Sequence, residues 1–327
     1  MSNRNEALKC WIEEQLGIRE YELTRASEDA SFRQYFRITY NSESAIIMDA
    51  PPEKEDCRPY VDIEERLAVA GVNVPRILHK DLTLGFLLIT DLGKTLYLDQ
   101  LQDGNVDILY GDALVSLSRI QKHADSTGLP DYDKQLLWQE MSLFKDWLVE
   151  KHLEICLSGD EVKQLNDLFV LLLGNALQQP RVFVHRDYHS RNLMYCEQNN
   201  PGIVDFQDAV YGPITYDLVS LLKDCYIKWP RDRINQWASD YCRQYFPDIA
   251  DEALYLRWFD LMGVQRHLKA SGIFARLFHR DGKAEYLKDV PRTLSYIVDL
   301  EADYPELTDL VRLITGEILP RLGNKQS

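Results

Sequence analysis

The spacing of apolar positions shifts repeatedly over the first ninety residues, then settles into long helical stripes. Leu8, Ile12 and Leu16 recur every four residues and predict a short amphipathic helix over Glu6–Leu16. Ser31–Thr39 and Ser44–Met48 read as strands. Pro51-Pro52 follows, and neither a helix nor a central strand continues through that pair. Val61–Ala70 is helical in pattern and ends at Gly71. Val74–Leu78 and Phe86–Ile89 predict two further strands around a turn over Asp81–Gly85. These elements assemble into a small, mostly antiparallel sheet with one helix packed on it.

After Thr90-Asp91-Leu92-Gly93 the pattern turns helical, over Val106–His123, Lys134–Glu150 and Gly159–Gln178. Val182–Phe206 is the one clear β interruption, and helices resume from Tyr216. From Glu252 to about Ala270, Leu254, Trp258, Leu261, Val264 and Leu268 form a core stripe, with Gln265, Arg266 and Lys269 on a polar side. The fold class is therefore α+β. Residues 1–92 form a small sheet-based lobe and residues 93–327 a larger, mainly helical one.

The β interruption concentrates the chemistry. Arg181-Val182-Phe183-Val184 is a short strand leading into His185-Arg186-Asp187. Leu193–Cys196 and Gly202–Val204 are the arms of a hairpin around Asn199-Asn200-Pro201-Gly202. A turn centred near Gln198 and Asn199 places Asn192 opposite Asp205, with Asp187 just upstream. Two carboxylates and an amide thus converge through local structure alone. Phosphoryl transfer needs that set: oxygen ligands for a hard cation, and a base for the attacking hydroxyl. Each residue alone is an ordinary turn former. The ordered pattern His-x-Asp, Asn, hairpin, Asp-Phe is far more specific.

His185-Arg186-Asp187-Tyr188-His189-Ser190-Arg191-Asn192 and Val204-Asp205-Phe206-Gln207-Asp208-Ala209 resemble the two signatures of the aminoglycoside phosphotransferase and choline kinase-like superfamily, followed by Pro213 to Leu218. The resemblance covers nearly the whole chain. It implies a protein-kinase-like bilobal fold, ATP and magnesium, Asp187 as catalytic base, and Asn192 and Asp205 as metal ligands. Within the superfamily, Asp29–Arg37, Ala50–Asp56, Asp205–Leu222 and Trp258–Lys269 are similar to the bacterial N-acetylmuramate and N-acetylglucosamine anomeric kinases of cell-wall recycling. That likeness implies transfer to an anomeric hydroxyl. It also places Gln265, Arg266 and Lys269 near the acceptor, where the plain alternative is a solvated helix face. His185 is expected as a buried structural histidine. Asp217 is expected to support the catalytic loop, as a candidate helix N-cap.

The nucleotide side departs from the general kinase pattern. Asp29-Ala30-Ser31-Phe32 stands where a glycine-rich loop is usual, so Ser31 and Phe32 are the candidates for phosphate contacts. Met48 or Asp49 stands where a phosphate-binding lysine is usual. Arg33, Arg37 and Lys54 are the substitute cations, with Arg33 preferred for its fork of donors. Asp62, Glu64 and Glu65 remain open as the helix acid. Thr90, Asp91 and Leu92 are expected to offer backbone groups to adenine. Two rivals remain, a kinase for another small alcohol such as an aminoglycoside or choline, and a catalytically silent nucleotide-binding pseudokinase.

Charge and cysteines narrow the picture. With 52 acidic against 37 basic residues the net charge is −15, which argues against nucleic acid as partner. None of the six cysteines has Cys-x-x-Cys spacing. The start of the chain lacks the apolar core of a signal peptide, and no apolar run is long enough to cross a membrane. The expectation is a cytoplasmic enzyme whose partners are ATP and a small amino sugar, with no membrane and no obligate protein partner.

Overall fold

The computed structural model describes residues 2–27 and 32–326. Helix α1 (Ser2–Leu16) precedes strands β1 (Glu22–Ser27), β2 (Gln34–Tyr40) and β3 (Glu43–Asp49). Helix α2 (Arg58–Val69) and strands β4 (Ile77–Asp81) and β5 (Phe86–Thr90) follow. The five strands form one antiparallel sheet in the order β1-β2-β3-β5-β4.

This sheet is covered on both faces, not on one. Ile38, Ala45, Ile47, Phe86 and Leu88 pack on Leu8, Trp11 and Ile12 of α1. Ile46, Met48, Leu87 and Ile89 belong to the cluster that contains Tyr60, Ile63 and Leu67 of α2. Alternate residues of a strand point to opposite faces, so a strand buried on both sides reads as an unbroken apolar run. Ala45-Ile46-Ile47-Met48 and Phe86-Leu87-Leu88-Ile89 are such runs, and all eight residues are buried. Helix α2 begins three residues earlier than the apolar stripe, because Pro59 occupies its first turn, where no amide hydrogen bond is lost. Strand β1 carries Glu22, Thr24, Arg25 and Ser27 and has no apolar alternation to mark it; pairing with β2 alone defines it.

The remainder is helical apart from two short β pairs. Helix α3 (Tyr97–Gln100) leads to α4 (Val106–His123), α5 (Lys134–Leu143) and α6 (Gly159–Leu177). A π-helical stretch, Phe144–His152, extends α5. Ser158 and Glu161 close a reciprocal capping box at the start of α6. Strand β6 (Arg181–Val184) pairs with β9 (Val210–Pro213), and β7 (Leu193–Met194) with β8 (Gly202–Ile203). Strand β9 lies outside the expected β interruption, since its Gly212-Pro213 signals a turn locally and only pairing with β6 makes it a strand. Helices α7 (Tyr216–Leu222), α8 (Arg231–Tyr245), α9 (Glu252–Asp281), α10 (Val290–Val298), α11 (Thr308–Leu313) and α12 (Leu319–Gln326) complete the chain.

Helix α9 runs eleven residues past Ala270 and stops at Gly282, whose left-handed conformation caps it. Gly272 is not a terminator. A Cβ there would lie 2.3 Å from the carbonyl carbon of Leu143 and 2.5 Å from the Phe144 nitrogen, so its bare backbone admits the junction between α5 and its π-helical extension. The expected polar side of α9 is absent as well: Gln265, Arg266 and Lys269 are 1%, 5% and 8% exposed, which removes the solvated-face alternative.

Candidate active site

The segment after β6 is held by its backbone. Both oxygens of the buried Asp217 carboxyl accept main-chain N–H groups, from His185 at 2.6 Å and from Arg186 at 3.0 Å. Asp217 lies in the first turn of α7 and does not cap it; Thr215 holds the cap position, with its hydroxyl donating to Gln179 and not to the helix. The sequence expectation of loop support is met by another route. Burial pushes the Asp217 carboxyl up to about 7 despite those two bonds. His185 is fully buried, and desolvation takes its imidazole down to about 4, so it is neutral in the fold. Arg186 adopts φ +78°, turning the chain so that Asp187 follows. The Tyr188 hydroxyl donates to the Ala113 carbonyl at 2.8 Å, and Ser190 donates from both nitrogen and hydroxyl to Asp224.

Asp187, Asn192 and Asp205 come together as expected, though the hairpin register differs by one residue. Leu193 faces Ile203, and the Val204 amide donates to the Asn192 carbonyl at 3.1 Å, so Asn192 falls opposite Val204. Asp205 then leaves the ladder with φ +63°, which turns its carboxylate back toward Asn192. The Asn192 side-chain nitrogen donates to the Asp187 carbonyl at 3.1 Å and to Asp205 Oδ2 at 3.2 Å. Gln207 Nε2 holds Asp205 Oδ1 at 2.9 Å. With its nitrogen committed twice, Asn192 has its amide oxygen left for a cation. One carboxylate and one neutral oxygen suit magnesium, which takes its remaining ligands from phosphates and water.

The half-buried Asp187 carboxyl sits among cations. Burial pushes it up, but Lys269, Arg266 and Arg186, with the His189 imidazole (itself lowered by burial) beside them, outweigh burial and hold it below the ordinary carboxylate range. It is therefore an anion at neutral pH, able to accept a proton. Lys269 and Arg186 are themselves fixed by Glu140, at 3.0 and 2.6 Å, and Gln265 reaches the same carboxylate at 3.4 Å. Tyr132 also donates its hydroxyl to Glu140. Glu140 stands one step inside the α5 stripe of Leu137, Met141 and Phe144, and an acid at a core-facing position is the signal that points to it. Asp224 carries no such mark.

On the sheet side, Arg33 pairs with Glu55 at 3.3 Å, while burial, which lowers it, is offset by Tyr35, Glu55, Asp208 and Asp205. The Phe32 amide donates to Glu55 Oε1 at 3.2 Å, and Ser31 lies outside the described residues. Arg37 is committed to Asp91 through two bonds, at 2.5 and 2.9 Å, and Lys54 lies over the Phe32 ring. Asp49 is bound by Arg4 of α1, and Met48 is buried. Of the three helix acids, Glu64 is the buried one and meets Arg76 at 3.1 Å. The Thr90 amide is taken by the Arg76 carbonyl at 2.9 Å. The Leu92 carbonyl accepts from the Cys196 thiol, and its side chain rests on Gly202 of the hairpin. The Phe206 ring packs on Tyr60 of α2 with centroids 4.8 Å apart, so the Asp205 segment touches both the sheet side and the helical side.

A small antiparallel sheet facing a helical body, with Asp187, Asn192 and Asp205 gathered between them, is the arrangement of a kinase-like phosphotransferase. The chain belongs to the phosphotransferase enzyme family, whose model matches residues 22–255, and it is a small-molecule kinase with an alcohol acceptor. It is 46% identical to the N-acetylmuramate/N-acetylglucosamine kinase of Pseudomonas aeruginosa, covering 96% of each chain. Its fold matches choline kinase from Cryptosporidium parvum at a TM-score of 0.64, 13% identity, over 94% of this chain and 98% of that one. An ADP-bound aminoglycoside phosphotransferase matches at a TM-score of 0.53, 16% identity, over 88% and 95%.

Proposed function

We propose that this kinase transfers the γ-phosphate of ATP to the anomeric hydroxyl of N-acetylmuramate or N-acetylglucosamine, giving the sugar 1-phosphate and ADP for the recycling of cell-wall sugars in the cytoplasm. The single observation that carries phosphoryl transfer is the Asn192 amide bridging the Asp187 backbone and the Asp205 carboxylate. The identity of the sugar is supported by likeness to relatives of that name across nearly the whole chain.

In this account residues 1–92 are the nucleotide lobe and residues 93–327 carry the catalytic loop and the acceptor. Adenine lies against the backbone of Thr90-Asp91-Leu92, and Ser31, Phe32 and Arg33 face the phosphates. Asn192 and Asp205 would hold a magnesium ion, which would neutralise phosphate charge. Asp187 orients the sugar hydroxyl and takes its proton as the new oxygen–phosphorus bond forms and the bond to ADP breaks. Gln265, Arg266 and Lys269 set the charge on the acceptor side, and they suit a neutral or anionic sugar better than a cationic choline or aminoglycoside.

A panel of acceptors with ATP and magnesium tests the assignment. Turnover is expected on both amino sugars and absent on their methyl glycosides, in which the anomeric oxygen is blocked. Brisk turnover of a methyl glycoside, or of choline in place of the sugars, overturns it.

A further inference from the structure

Acids outnumber bases in this chain by 52 to 37, so a guanidinium withdrawn from solvent has carboxylates to choose from. Arg33, Arg37 and Arg186 each pair with one. Two arginines next to the catalytic loop do not. Among the described residues, neither Arg191 nor Arg266 has a carboxylate oxygen within 4 Å. Arg266 is 5% exposed and bonds the Cys225 sulfur at 3.6 Å. Arg191 is half-buried, with its guanidinium 4.7 Å from the Tyr226 ring centroid and 5.3 Å from that of Tyr286. Phe274 packs against both rings and fixes them.

The pair lies by Asp187, on the side that the proposed function gives to the acceptor. Arg191 belongs to the same loop, one residue before Asn192. Tyr226 touches it on one side and the His189 ring, 5.4 Å away, on the other. Arg266 acts directly on the charge of Asp187. Two rings and their hydroxyls confine the Arg191 guanidinium, and a planar guanidinium held in place matches a carboxylate with two parallel bonds. The rings hold the cation without neutralising it. Two cations with no carboxylate in ion-pair contact among the described residues, in an acidic protein, are complementary to an anionic ligand.

The two sugars of the proposed function differ in one relevant respect. N-acetylmuramate carries a carboxylate on an ether arm, and N-acetylglucosamine has a hydroxyl in its place. We propose that Arg191, clamped by Tyr226 and Tyr286 and backed by Arg266, receives the carboxylate of the anionic acceptor and so sets the preference between the two sugars. This inference rests on the amino-sugar kinase assignment above.

Steady-state kinetics on both sugars, and on the carboxamide of N-acetylmuramate, test it in the wild type, Arg191→Met and Arg191→Lys. In Arg191→Met, kcat/KM for N-acetylmuramate is expected to fall about 10- to 100-fold further than that for N-acetylglucosamine, mainly through KM. Arg191→Lys recovers part of the loss. The wild type is expected to use the carboxamide as poorly as Arg191→Met uses the acid, and Arg191→Met no longer to tell acid from amide. The wild-type comparison does not depend on how well a variant folds. Equal losses on both sugars, or a wild type indifferent to amidation, overturn the role of Arg191. A wild type that turns over neither sugar overturns the sugar assignment itself.

Discussion

Lys269, Arg266 and Arg186 are the cations that hold Asp187 ionised, and their arrangement makes specific demands on single residues. Asp187→Asn keeps the size and the local bonds but loses the proton acceptor. It is expected to lower kcat by about 10²- to 10⁴-fold while nucleotide affinity measured by calorimetry is retained. Unchanged turnover assigns the base elsewhere. Glu140→Gln removes the anion shared by Lys269 and Arg186, and leaving buried cations uncompensated is expected to cost about 3–5 kcal/mol in urea denaturation. Asp187, Asn192 and Asp205 were legible from spacing because a single hairpin brings them together. Glu140 was not, because its partners come from the catalytic loop and from α9, far away along the chain. Arg33 was preferred over Arg37 and Lys54 on its donors alone; in the structure Arg37 is engaged with Asp91, while Arg33 pairs with Glu55 and feels Asp205.

Among the elements, long helices and apolar strands were readable and partner-dependent strands were not. The α4 bounds and the β6 bounds agree with the apolar pattern, since both elements bury most of what their own sequence makes apolar. Strands β1 and β9 exist through pairing, and no local pattern announces them. The hairpin register slipped by one because a turn of several residues does not fix its own centre, yet the site survives through the left-handed backbone at Asp205. Helix α9 continues through Gly272, which marks a close helix crossing. Gly272→Ala puts a methyl group against the Leu143 backbone and is expected to destabilise the fold by about 1–3 kcal/mol or more. A thermal melt equal to that of the wild type would show that the crossing relaxes freely.

For the whole molecule, burial of neutral histidines couples the fold to pH. His185 lies at about 4 and His267 at about 3, both lowered first by burial from an ordinary 6.5. As pH falls below 6.5, the unfolded chain takes up protons on both that the folded chain refuses, so stability is lost. Asp217 acts in the opposite sense. Its carboxyl, raised to about 7, favours the folded state at low pH and loses that stability as pH rises from 3.8 through 7. Burial lowers His189 as well and raises Glu64 alongside Asp217, so three histidines oppose two carboxyls and the net effect of these groups toward acid is a loss. Urea midpoints measured between pH 7 and pH 4 are expected to fall, and His267→Gln is expected to flatten that fall. A flat wild-type profile contradicts the buried neutral histidines. The kinase-like arrangement of sheet and helical body was legible because the catalytic segment lies between a strand-rich and a helix-rich half. The most direct test of the central claim is phosphorus and proton NMR of the product made from N-acetylglucosamine, ATP and magnesium. The account predicts a phosphate coupled to the anomeric proton. Phosphate coupled to any other sugar position contradicts it.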